Sequence, residues 1–180
     1  DVGTLGSYWE ANMELIDIIP EFNLYEEYWK IYTKSEKIPP QFISAEAKVG
    51  KSIIGEGTEI YGEVVNSVIG SGVVIEKGAV VRDSIIMQDS VIEADAVVDK
   101  AIVAERIGAG ARLGVGEYAP SKYDPKVYQF DLVTVGEHSV IPAGVEIGKN
   151  TAISGVTEAS DYPDGKLESG GYIVKAGGNV

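Results

Sequence analysis

The chain sets 28 acidic against 15 basic side chains in 180 residues, and its net charge of −13 argues against nucleic acid or an anionic membrane as a general partner. It has no cysteine, which excludes disulfides, thiol nucleophiles and thiolate metal sites and suits the cytoplasm. Apolar content is ordinary, so a packed core is expected, and neither an apolar run of bilayer length nor a signal peptide is evident.

The first 42 residues read as a helix and a connector. Ser7 and Glu10 have capping-box spacing. Ala11, Leu15 and Ile18 share one helical face, Trp9, Met13 and Ile16 lie on an adjoining one, and Pro20 ends the helix. The connector is rich in rings: Phe22, Tyr25, Tyr28, Trp29, Tyr32 and Phe42. Such a segment is expected to dock onto a neighbouring domain. Pro39-Pro40 marks an extended entry into the next element. The opening Asp1-Val2-Gly3-Thr4, with no methionine, reads as a piece of a longer protein.

Residues 43–153 carry a repeat. Ile43, Val49, Ile54 and Ile60 begin it. Branched aliphatic residues then recur with a step of about six at Ile69, Ile75, Val81, Ile86, Ile92, Val98 and Ile107, and again at Val135, Ile141, Ile147 and Ile153. Four places after many of them stands a small or branched residue: Val73, Ala79, Ser90, Ala96, Ala111, Ser139, Val145 or Thr151. Strand side chains alternate faces, so positions i and i+4 point into one narrow core. No Asn-Gly hairpin pair interrupts the repeat. The pattern predicts a mainly β fold, a left-handed parallel β-helix of hexapeptides. A longer period overlies the first. Asn66-Ser67-Val68-Ile69, Asp83-Ser84-Ile85-Ile86 and Lys100-Ala101-Ile102-Val103 are variants of one motif seventeen residues apart. That is one turn of a three-sided solenoid, one residue short of three hexapeptides, with the shortfall at the same corner each time.

Residues 114–134 break the repeat with Tyr118, Pro120, Tyr123, Pro125, Tyr128 and Phe130, and read as a loop on one face. Residues 154–180 read as a cap over the open end, with a turn at Tyr162-Pro163-Asp164-Gly165 and a short strand at Tyr172-Ile173-Val174.

Few residues offer chemistry. His138 is the only histidine. It is either a surface or interface residue, the commoner case at an outward repeat position, or the general base of a hexapeptide acyltransferase acting between subunits. Gly108-Ala109-Gly110 has the composition of a phosphate loop but does not link a strand to a helix. Asp1, ahead of a helix, is either a turn residue or a metal ligand.

Asp1-Val2-Gly3-Thr4 followed by Ser7-Tyr8-Trp9-Glu10-Ala11-Asn12-Met13-Glu14-Leu15 closely resembles a segment of the bacterial glucose-1-phosphate adenylyltransferases (ADP-glucose pyrophosphorylases). So do Asn23-Leu24-Tyr25, Trp29-Lys30-Ile31-Tyr32-Thr33, Arg82-Asp83-Ser84-Ile85-Ile86-Met87 and Val140-Ile141-Pro142. The resemblance covers essentially the whole chain. It implies that residues 1–42 are the end of a nucleotidyltransferase domain with its connector. It further implies an enzyme joining ATP and glucose 1-phosphate into ADP-glucose and pyrophosphate for glycogen synthesis, a Rossmann-like catalytic domain ahead of the β-helix, and an allosteric homo-tetramer. Asp1 then matches the aspartate that holds catalytic Mg2+ in that family. The glycine-rich nucleotide loop and the other metal carboxylate lie outside this chain, so the chain alone is expected to be inactive and to act as an assembly and allosteric scaffold. Gly171-Tyr172-Ile173-Val174-Lys175 resembles a regulator-binding segment, with Lys175 as the basic residue. Glu137-His138 stands where some bacterial members carry arginine, which departs from their anion site. A hexapeptide acyltransferase using His138 and a non-catalytic regulatory paralogue are the alternatives.

Overall fold

A computed structural model describes residues 2–30 and 37–175. Its core is a parallel β-solenoid with three sheets. The first sheet stacks Phe42–Ile43, Glu59–Ile60, Val74–Ile75, Val91–Ile92, Arg106–Ile107 and Val140–Ile141. The second stacks Lys48–Gly50, Glu63–Val65, Val80–Arg82, Val97–Asp99, Arg112–Val115, Glu146–Gly148 and Lys166–Leu167. The third stacks Ile53–Ile54, Val68–Ile69, Ile85–Ile86, Ala101–Val103, Val133–Val135, Thr151–Ser154 and Tyr172–Val174. Every pairing is parallel, and each strand is two to four residues long. Pairing therefore continues beyond Ile153, because the last two strands extend the second and third sheets.

The repeat positions point inward as their period demands. From Ile69 to Ile153 the eleven aliphatic positions are at most 1% exposed, and their i+4 partners at most 2%. Each buried Ile, Leu or Val contributes about 1.5–3 kcal/mol by leaving water. The seventeen-residue step is confirmed in the register Val68, Ile85, Ile102 of the third sheet. Other coils are shorter: Ile53 pairs with Val68, and Val97 with Arg112, after fifteen residues.

The missing residue at the recurrent corner has a structural cause. Lys51, Asn66, Asp83, Lys100 and Asn150, each just before a strand of the third sheet, have φ between 42° and 54°. One left-handed residue turns the chain there in place of a longer bend. The serines next in the chain form a ladder. The Ser67 amide donates to Ser52 Oγ (3.1 Å), the Ser84 amide to Ser67 Oγ (3.2 Å) and the Ala101 amide to Ser84 Oγ (3.0 Å). Amides that would be orphaned at the sharp corner are thus satisfied from one coil to the next. A second ladder explains part of the acidic charge. Glu76 accepts from the Ala94 amide (2.8 Å), and Glu93 from the Ala109 amide (2.9 Å). The second of these bonds also consumes a donor of the Gly108-Ala109-Gly110 corner, consistent with that corner being no phosphate loop.

The two ends of the solenoid differ. Ile43 and Val49 of the first coil are 46% and 38% exposed. At the other end Tyr162 is buried between two short 3₁₀ turns, Ala159–Asp161 and Pro163–Gly165, and shares a 2.8 Å hydrogen bond with Thr157. Burial pushes the Tyr162 phenol up to about 12.

The N-terminal helix α1, Leu5–Glu14, departs from the sequence reading at both ends. Its N-cap is Thr4, whose Oγ1 accepts from the Ser7 amide (3.1 Å) while Ser7 Oγ accepts from the Thr4 amide (3.1 Å). Ser7 is therefore the third residue of the box and not the cap. The helix stops at Glu14, six residues before Pro20, and two 3₁₀-like bonds, Ile16 to Met13 and Asp17 to Glu14, unwind it. The face expected to include Ile18 is not buried: Ile18 is 97% exposed. The solenoid offers apolar support only as far as Met13. The connector rings are also exposed, with Tyr25, Tyr28 and Trp29 at 80%, 100% and 82%; Tyr32 lies outside the described residues.

Candidate functional site

Chemistry-bearing groups gather where α1 meets the third sheet. Strand periodicity turns Ile85 and Ile102 away from the solenoid core, yet both are buried. They form a second apolar cluster with Leu132, onto which Leu5, Tyr8, Trp9, Met13 and Met87 pack. The left-handed corner column flanks this seat and holds the helical segment by polar contacts. Trp9 Nε1 donates to the Asp83 carbonyl at 2.7 Å, and Lys100 Nζ lies 5.2 Å from the centre of the Trp9 ring. Lower down, Lys51 pairs with Asp17 at 3.0 Å.

The 114–134 interruption supplies the third wall. Regular pairing stops at Val115 and resumes at Val133. Asn150, fully buried, ties the intervening loop down: its Oδ1 accepts from the Asp131 amide and its Nδ2 donates to the Ala119 carbonyl, both at 2.8 Å. The Lys122 amide donates to Gly170 O at 2.8 Å, and Tyr123 stacks against Tyr128 and Tyr172. Phe130 and Asp131 are successive left-handed residues, φ 64° and 63°, at the centre of a turn closed by the Leu132 amide on Gln129 O (3.3 Å); the conformation costs about 1–2 kcal/mol for phenylalanine, whereas aspartate adopts it more readily.

A cleft of about 540 Å³ opens beside the helix, lined among others by Tyr8, Asn12, Asp89, Glu105, Glu137 and His138. His138 sits at a corner, φ 59°, with its side chain 74% exposed. Glu105 Oε1 accepts from the His138 amide at 3.2 Å and lies 3.7 Å from Nδ1. The carboxylate's nearer partner is the backbone, so Glu105 caps a corner much as Glu93 does. Three carboxylates face this cleft, which disfavours a phosphate unless another part of the protein supplies cations.

Lys175 is far from this cleft in sequence and is already engaged. Its Nζ donates to Asp161 Oδ2 at 2.5 Å, and this bond, first among its causes, holds the Asp161 carboxyl below its ordinary value. The pair fastens the last described residue to the first 3₁₀ turn. Asp1 lies outside the described residues. Among the described residues no three histidine or carboxylate side chains converge as a metal site, and no helix is long and apolar enough to cross a membrane.

Sequence reading placed Phe130 in the loop but missed its contact with α1, and it missed the α1 seat and the Asn150 tether. Doubled aliphatic pairs such as Ile85-Ile86 place an apolar residue on each side of a strand, but Val91-Ile92 and Val97-Val98 do the same on the other sheets, so the pairs alone do not single out the covered face.

A model of the family described as GlmU-like, C-terminal hexapeptide matches residues 38–131. The chain is similar to proteins named glucose-1-phosphate adenylyltransferase. One from Lachnospira eligens is 75% identical over 99% of this chain, one from Thermotoga neapolitana 56% over 97%, and one from Acetivibrio thermocellus 42% over 98%. The chain spans 43%, 42% and 42% of their respective lengths. The match falls on their C-terminal part. The repeat, the three-sided solenoid and these likenesses agree: the chain is similar to the C-terminal part of proteins named glucose-1-phosphate adenylyltransferase and belongs to the GlmU-like, C-terminal hexapeptide family.

Proposed function

We propose that the protein to which this chain belongs joins ATP and glucose 1-phosphate into ADP-glucose and pyrophosphate, and that this chain is its assembly and regulatory scaffold. The observation that carries the reading is the 75% identity, over 99% of the chain, to a relative bearing that enzyme's name. The seat of α1 supports it physically. A helix held at Trp9 by Asp83 and Lys100, with Lys51 pairing to Asp17 just past its end, ties the solenoid to whatever precedes residue 2. The exposed rings Tyr25, Tyr28 and Trp29 suit packing on a preceding catalytic domain, and the exposed first coil suits a homo-oligomer such as the tetramer expected from the resemblance. Nucleotidyl transfer would take place in the part before α1, where Asp1, as the resemblance implies, and carboxylates outside this chain would hold Mg2+ to neutralise phosphate charge. The enzyme works in the cytoplasm.

Pyrophosphate release by the full-length protein from ATP and glucose 1-phosphate, with none by the purified chain, is the expected result. A folded full-length protein that lacks this turnover would make the chain part of a non-catalytic paralogue. The regulatory part is tested at Lys175. Binding of an anionic effector there competes with Asp161 for the ammonium, so Lys175→Ala should blunt the effector response of the full-length enzyme. An unchanged response removes Lys175 from the effector site.

A further inference from the structure

Phe130 occupies a costly position with no evident return in burial. It is left-handed, its neighbour Asp131 is left-handed as well, and the residue remains 47% exposed. Strain of this kind persists only where surrounding contacts over-determine it. Those contacts are present. The fully buried Asn150 side chain holds the Asp131 amide on one side and Ala119 O on the other. What the strained pair achieves is a placement: the Phe130 ring lies on Gly6, in the first turn of α1, where a Cβ on Gly6 would fall on its Cδ2 and Cε2 atoms. Gly6 is buried, although glycine forms helices less readily than alanine. Two unfavourable choices, a left-handed phenylalanine and a helical glycine, meet at one contact.

We propose that Phe130 is a positioning residue, a wedge through which the loop at 116–132 holds the first turn of α1, and hence the chain entering it, in register with the solenoid. The contacts run without a gap from the last coils to the helix start. Gly170 and Asn150 hold the loop, the loop holds Phe130, Phe130 sits on Gly6, and Gly6 lies two residues after the Thr4 cap. The activity arm of the test rests on the adenylyltransferase reading above; the exchange arm does not.

The test uses the full-length enzyme with Phe130→Ala, Phe130→Tyr and Gly6→Ala. In Phe130→Ala, amide exchange at Ser7, Tyr8 and Trp9 should quicken about tenfold while solenoid core amides stay unchanged. The kcat for ADP-glucose synthesis should fall about tenfold with both KM values within about twofold, as misplacement of a reacting segment predicts. Phe130→Tyr should restore both. Gly6→Ala is the discriminating variant. Alanine favours the helix but expels the ring, so kcat should fall although α1 is intrinsically more stable. Unchanged exchange in Phe130→Ala, faster exchange spread over the solenoid core, or undiminished kcat in either Phe130→Ala or Gly6→Ala would overturn the proposal. If the wild-type enzyme makes no ADP-glucose, the functional reading falls and the exchange comparison alone decides the wedge.

Discussion

The outward faces of the three sheets obey the same two-residue alternation and meet different fates. On the first and second sheets, Val91 and Val97 point outward and stay half-buried beside charged neighbours such as Arg106 and Arg112. On the third, Ile85 and Ile102 occupy equivalent positions and are 3% and 7% exposed, because α1 and Leu132 cover them. The difference shows that a solenoid core is local to each coil, whereas a covered face is made by segments distant in sequence. The third sheet holds the helix, the loop and the left-handed corner together.

The covered face is most sensitive at Ile102. Ile102→Asp places a carboxylate under α1 with no cation designed for it, and should cost about 4 kcal/mol or more in denaturant unfolding or leave the helix detached. Ser84→Ala tests the corner column instead of the face. It leaves the Ala101 amide without its acceptor and should cost about 1–3 kcal/mol, read as a lower midpoint at unchanged m. At the capped end, the Tyr162 phenol is raised to about 12 from 10.0, so its neutral form is favoured in the folded state. Stability from this group is complete below pH 10 and is lost as pH rises from about 10 through about 12. Alkaline unfolding curves of Tyr162→Phe should lack that component. Trp9→Phe keeps the ring on the seat and removes only the bond to Asp83 O. About 1 kcal/mol is expected, visible as faster exchange within α1. Val97→Thr on the bare second sheet should change stability by under about 0.5 kcal/mol. If it matched Ile102→Asp, the second sheet too would be a covered face.

Legibility in the sequence followed the range of the interactions. The coil positions from Ile69 to Ile153 were readable because each reports on neighbours one strand or one coil away. The seventeen-residue step was readable because Ser67, Ser84 and Ala101 stack directly. The helix was legible as an element but misplaced at both ends. Thr4 and Ser7 form a box as readily as Ser7 and Glu10, and the pattern does not reveal where support runs out. The candidate site was barely legible. His138 was visible as a lone imidazole, but not that Glu105 caps its amide, since the two are 33 residues apart. Lys175 was visible as a basic residue, but not as the partner of Asp161.

Period, composition and corner residues by themselves determined that this chain is a three-sided parallel solenoid with an interruption and a cap. A step of about six along strands that alternate faces leaves each coil only one way to bury its aliphatic side chains on the next. Only the tertiary structure decided which outward face is covered, that Phe130 rests on Gly6, and that Asn150 pins the loop behind that contact. Those contacts join segments distant in sequence, and their partners are chosen by the shape and hydrogen-bonding needs of the assembled surface. No local pattern encodes that choice.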